Sequence, residues 1–134
     1  MAIFVDSNVL LDVLTEPSEW AEWSAAALAA AANSTRLVIN AIVYAEISVH
    51  FPRIEELEAA LPRNLLHRDP ISENAAFLAG KAYLAYRRRG GTKTAPLPDF
   101  FIGAHAATAN YRLLTRDTAR YRTYFPRLSL IAPQ

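Results

Sequence analysis

Ala2-Ile3-Phe4-Val5 is a wholly apolar run that ends at a carboxylate, Asp6. It shows no alternation of polar and apolar positions, so it reads as a strand buried on both faces. Leu37-Val38-Ile39 repeats the pattern, Leu65-Leu66 is a weak third strand, Arg112 to Thr115 a fourth and Leu128 to Ile131 a fifth. Helical stretches separate them. Val9 to Leu14 is short, 19–32 is Ala-rich, and 41–50 stops at Pro52. Ile54 to Leu61 ends at Pro62, 72–88 is long, Asp99 to Ala109 follows Pro98, and a short helix follows Asp117. Breaks are expected at Glu16-Pro17-Ser18 and in a loop from Arg87-Arg88-Arg89-Gly90-Gly91 to Pro98. Strands separated by helices with no hairpin signal predict an α/β fold. Its central sheet has four to five strands, is mainly parallel, and carries helices on both faces in three α/β/α layers.

The 134 residues (14.9 kDa) are expected to form one domain spanning 1–134. The chain has no cysteine, which excludes a disulfide scaffold, a thiolate zinc site and a thiol nucleophile. At 52% apolar and 20% charged it is too apolar for a disordered chain. No apolar run approaches the roughly 20 residues that span a bilayer, and Met1 to Asp6 lacks a basic leader. A soluble, cytoplasmic protein is the expectation. Trp20, Trp23 and Leu28 form a helical stripe whose bulk exceeds what a small core needs. Core packing and an interface for a partner helix or second subunit are both open.

In open parallel sheets, sites gather at the carboxyl ends of strands. Only five Asp occur, and three sit where this architecture converges: Asp6 after the first strand, Asp99 opening a helix, and Asp117 after the fourth strand. Taken singly, Asp6 and Asp117 also suit helix N-caps, and Asp99 suits a helix dipole. Glu46 is harder to explain locally. The polar stripe of its helix is Asn40, Tyr44 and Ser48, whereas its own helical neighbours are Ile42, Val43, Val49 and His50. A carboxylate there needs either an ion pair or a function.

If the four acids converge, each close pair of like charges costs about 4 kcal/mol at ~4 Å and an effective dielectric of ~20. No Lys or Arg adjoins Asp6 or Glu46 in the chain. Hard oxygen donors without Cys point to Mg2+, or to Mn2+, rather than zinc. His50, His67 and His105 are scattered and read as structural or exposed. Such a site suits metal-assisted hydrolysis of a phosphodiester, with Asp99 or Glu46 orienting the attacking water.

Net charge is only +1, but twelve of the fourteen basic residues are Arg, a fork suited to phosphate. Arg112, Arg116, Arg120 and Arg122 surround Asp117, and Arg87, Arg88 and Arg89 precede Asp99. These are candidate contacts to a phosphodiester substrate, with Tyr121, Tyr124 and Phe125 as candidate stacking surfaces. A solvated charged face over core aromatics is the plainer explanation.

Four blocks stand in order along the chain. They are Val5-Asp6-Ser7-Asn8-Val9-Leu10-Leu11-Asp12, Tyr44-Ala45-Glu46, Leu97-Pro98-Asp99-Phe100-Phe101-Ile102-Gly103-Ala104-His105, and Leu114-Thr115-Arg116-Asp117-Thr118-Ala119-Arg120-Tyr121. Together they resemble the PIN-domain ribonucleases, most of all the VapC-type toxins of type II toxin–antitoxin modules. The resemblance implies a Mg2+-dependent endoribonuclease with Asp6, Glu46, Asp99 and Asp117 as metal-binding and catalytic acids. Thr115 would hydrogen-bond within the site, and Ser7 and Asn8 would support its first turn. It also implies a homodimer, neutralised by a small antitoxin that covers the acidic site with one end and binds operator DNA with the other. Asp12 is read as peripheral.

A haloacid-dehalogenase phosphatase would need an Asp where Asn8 stands, and a phospho-receiver domain lacks its Lys, since neither Lys81 nor Lys93 is so placed. The remaining alternative is a non-catalytic PIN-like RNA-binding or scaffold domain.

Overall fold

The computed structural model describes residues 1–15, 18–91 and 97–134. The break expected at Glu16-Pro17 and most of the loop after Gly91, Lys93 included, lie outside the described residues.

Five strands, β1 (Ile3–Val5), β2 (Leu37–Ile39), β3 (Leu66–Arg68), β4 (Arg112–Leu114) and β5 (Leu130–Ile131), form a sheet of order β3-β2-β1-β4-β5. Every pairing is parallel. The central strand β1 is buried throughout, as its unbroken apolar run requires, and Phe4 and Val5 are fully enclosed. Burying each such side chain is worth roughly 1.5–3 kcal/mol. The edge strands are less enclosed: His67 of β3 is exposed and β5 is half-buried. This weaker burial explains why β3 is displaced from the expected Leu65-Leu66 and β5 is shorter than expected.

The helices are α1 (Ser7–Leu14), α2 (Ala21–Ser34), α3 (Ala41–Ser48), α4 (Ile54–Ala60), α5 (Glu73–Arg88), α6 (Leu97–Thr108) and α7 (Ala119–Tyr124). The chain steps from β1 to β2 to β3 in one direction, then jumps back across β1 to β4. Right-handed crossovers therefore place α1–α4 on one face of the sheet and α5–α7 on the other. On these faces α1 packs on α2 and α5 on α6. Among the described residues no helix is long and apolar enough to cross a membrane.

The reversal of direction makes the gap between β1 and β4 a topological switch point, where ligands of open α/β sheets bind. The register pairs Val5 with Leu114, so one residue further Asp6 stands beside Thr115. The Asp6 backbone N–H extends this ladder to the Leu114 carbonyl at 2.9 Å.

Candidate metal and catalytic site

Asp6 lies at this switch point and is only 3% exposed. It is the N-cap of α1, where the one backbone N–H its side chain accepts is that of Ser7, at 2.8 Å. Most of its hydrogen bonds come from elsewhere. Oδ2 accepts from Tyr121 at 2.8 Å, Thr115 at 2.9 Å and Asn8 at 3.4 Å. Burial pushes its pKa up to about 7. The Tyr121 and Thr115 hydroxyls oppose the rise, and the charges of Asp99 and Glu46 add to it. Those two distant residues are therefore electrostatic neighbours of Asp6.

Glu46 reaches the site from α3 through Ser7, whose hydroxyl donates to Oε1 at 2.8 Å. Burial raises its pKa, Ser7 opposes, and Asp99 raises it further. The sequence pattern misplaced the water-facing stripe of α3. Ala41, Ala45 and Val49 are exposed, while Tyr44 and Ser48 are half-buried and Asn40 is buried. Glu46 is half-buried, with exposed Val49 and His50 beside it in sequence.

Asp99 is the third residue of α6 and half-buried. Burial raises its pKa, the Arg120 guanidinium opposes with a hydrogen bond at 2.7 Å, and Asp117 raises it. Asp117 is exposed. It does not cap α7, a position held by Thr118. Its backbone N–H donates to the Thr115 hydroxyl at 3.1 Å, and Asn8 Nδ2 donates to the same oxygen at 3.2 Å.

Among the described residues, no three His, Asp or Glu side chains are drawn together into a finished ion cage. Mg2+ does not require one, since it commonly takes one or two carboxylates and fills its remaining positions with water and phosphate oxygens. The donor set fits such an ion: all oxygen, mutually repelling, and centred on a carboxylate whose pKa is raised by burial and further by the charges of Asp99 and Glu46.

The family model described as PIN domain matches residues 3–126. The chain belongs to the PIN-domain family. No curated protein matches it. Solved structures resemble this PIN domain over nearly their whole length. VapBC2 from Rickettsia felis, bound to a DNA fragment from its promoter, has 19% identity and a TM-score of 0.76, covering 100% of both chains. VapBC-1 from nontypeable Haemophilus influenzae has 18% identity and a TM-score of 0.74, with 98% of each chain covered. FitAcB from Neisseria gonorrhoeae has 20% identity and a TM-score of 0.71, with 96% of each covered. At these identities the likeness is one of fold.

The arginines of this PIN domain divide by placement. Arg116 forks onto Asp12 through Nε at 2.7 Å and Nη2 at 3.1 Å and lies over the Trp20 ring. Arg120 holds Asp99 and lies over Tyr86. Arg112 opens β4, at the opposite end of the sheet from Thr115. Arg87, Arg88 and Arg89 are exposed at the end of α5, with Arg87 over Tyr83 and Arg89 over Tyr124. Tyr121 and Phe125 are buried, at 2% and 5% exposure, so they offer no stacking face; Tyr124 is half-buried.

Sequence reasoning missed two contributions. Tyr121 is a hydrogen-bond donor to Asp6; the signal was an aromatic whose hydroxyl must find a partner once buried. Asn40 accepts the Ile42 and Val43 N–H groups as N-cap of α3, so its Nδ2 donates to His105 Nδ1 at 3.0 Å. That assigns the proton to His105 Nε2, which donates to Asp69 at 3.0 Å, and Tyr111 donates to the same Asp69 oxygen at 2.7 Å. The chain of bonds ties α3, which carries Glu46, to α6, which carries Asp99. His105 is buried, while His50 and His67 are exposed.

Proposed function

We propose that this PIN domain is a Mg2+-dependent endoribonuclease (Mn2+ being the other candidate ion), the toxin of a toxin–antitoxin pair acting in the cytoplasm. The observation that carries the reading is the buried Asp6 at the β1/β4 switch point, its carboxyl pushed up to about 7 amid the charges of Glu46 and Asp99. A fold gains nothing from that arrangement unless a cation or a proton relieves it.

Asp6, Glu46 and Asp99 would hold the ion, with Asp117 at the rim. The ion supplies Lewis-acid charge to the phosphodiester and makes a water more acidic. Glu46 or Asp99 would orient the attacking water as base, and a raised carboxyl pKa suits either for proton transfer. Ser7, Asn8 and Thr115 keep Asp6 and Glu46 in place. Arg87, Arg88 and Arg89, beside α7, would track the RNA backbone.

The antitoxin and homodimer belong to the same reading. An apolar cavity of about 210 Å³ lies between α1, α2 and α4, lined by Leu10, Val13, Leu14, Leu28, Ala29 and Ala32 among others. Val13 is 42% exposed. This groove suits the apolar side of an antitoxin helix.

The test is cleavage of RNA by the purified protein in Mg2+, with sequencing of the new ends. Cleavage lost on chelation and restored by Mg2+ is the expected result. The rival, a non-catalytic RNA-binding PIN domain, is favoured by the Arg120–Asp99 lock; RNA bound but left intact in Mg2+ would establish it.

A further inference from the structure

The four acids fall into two overlapping groups. The charges of Asp99 and Glu46 reach Asp6, and that of Asp99 reaches Glu46. The charge of Asp117 reaches Asp99. Asp99 therefore borders both groups. Paired catalytic ions stand about 3.5–4 Å apart, so a carboxylate that borders both places is the natural bridge between them. Arg120 already holds that carboxylate. Its Nη1 donates to Asp99 Oδ2 at 2.7 Å. The same guanidinium lies 5.7 Å from the centroid of the Tyr86 ring, which packs against Phe100 and Tyr124 at 5.6 and 6.0 Å. An acid and an aromatic ring thus fix this cation together. Among the described residues it makes the one ion pair that involves any of the four acids, since Arg116, four positions earlier, is committed to Asp12. One short stretch around the start of α7 supplies both Asp117 and Arg120 to Asp99.

We propose that Arg120 stands in for a second divalent ion: its guanidinium, held on Asp99, takes the cation place that Asp99 and Asp117 would otherwise offer, so the site binds one Mg2+ and not two. The proposal rests on reading the acidic site as a divalent-cation site. Its basis is charge. An ion on the Asp99 oxygen that carries the guanidinium would lie within a few ångströms of a full positive charge, and partly buried charges are screened much less than exposed ones. Oδ1 of Asp99 is left for the ion shared with Asp6 and Glu46. Arg120 acts on the site through Asp99 and is a positioning residue, whose charge is present at any metal concentration.

Full-length wild type, Arg120→Ala and Arg120→Lys are dialysed against MnCl2, and bound Mn2+ is counted by electron paramagnetic resonance. The wild type should bind one Mn2+ per chain. Arg120→Ala should bind two, with the spectral broadening of a close pair. Arg120→Lys, which keeps the charge, should bind one. Adding Asp117→Asn to Arg120→Ala removes a ligand of the second ion and should return the count to one. Where Arg120→Ala loses the wild-type circular dichroism, Arg120→Met, which keeps an apolar stem against Tyr86, takes its place in both measurements. A wild type or Arg120→Lys that binds two ions overturns the proposal. So does a folded neutral variant that binds one, or a double variant that keeps two. A wild type that binds no Mn2+ overturns the divalent-site reading beneath it.

Discussion

Arg120 Nη1 donates to Oδ2 of Asp99 at 2.7 Å, so one candidate catalytic carboxylate already faces a cation supplied by the protein. Both side chains are partly open, at 28% and 24% exposure, so the pair is worth at most about 1 kcal/mol of stability. Its larger effect is on the site's charge. Arg120→Ala should leave the melting temperature within a few degrees of wild type and strengthen Mn2+ binding several-fold, as the rival positive charge is removed. Weaker Mn2+ binding in calorimetry would show that Arg120 supports the ion rather than competing with it.

Asp6→Asn should abolish RNA cleavage and stabilise the metal-free protein near neutral pH. The folded-state pKa of Asp6 is about 7 against an ordinary 3.8, so the folded state holds its proton more tightly than the unfolded chain. Stability is therefore full below about pH 4 and falls as pH rises toward 7. At ~1.4 kcal/mol per unit, the ceiling is about 4 kcal/mol. In chelator, urea denaturation should place Asp6→Asn above wild type at pH 8 and level with it at pH 4. A variant less stable than wild type at pH 8 would refute the burial argument.

Asp12 titrates the opposite way. Burial raises its pKa, but Arg116, Ser24 and Ser18 outweigh it and hold the carboxyl below its usual value. Its contribution is present above the unfolded pKa and lost as pH falls through the folded one. Asp12→Asn should cost about 2 kcal/mol at pH 7, because the Arg116 guanidinium loses its charged partner. The gap from wild type should shrink by pH 3. An equal gap at both values would assign the loss to packing.

Val13→Glu places a charge on the groove between α1 and α2 without entering the core. Cleavage should persist, while affinity for the co-expressed antitoxin should fall at least ten-fold and neutralisation with it. Undiminished affinity in a pull-down and titration would move the partner's seat elsewhere.

The strand pattern was legible because burial on both faces leaves an unbroken apolar run, as at Ile3–Val5 and Leu37–Ile39. Helix ends were readable to within a few residues from Pro and Gly. The marginal strands were not, because β3 and β5 lie at edges where one residue of shift costs little burial. On α3, Asn40, Tyr44 and Ser48 were read as the polar stripe, yet Ala41 and Ala45 are the exposed residues, because small side chains suit water and core alike.

What the sequence determined by itself was an alternation of helices and parallel strands, and with it four acidic blocks at or near the sheet's carboxyl edge. Periodicity and burial are local properties that a linear string records. Tertiary structure alone decided partners: that Arg116 forks onto Asp12, that Arg120 meets Asp99, and that Tyr121 donates to Asp6, 115 positions away. Every Arg and every Tyr carries the same donors wherever it stands. Which acceptor each one finds depends on how the elements are placed in space, to a fraction of an ångström.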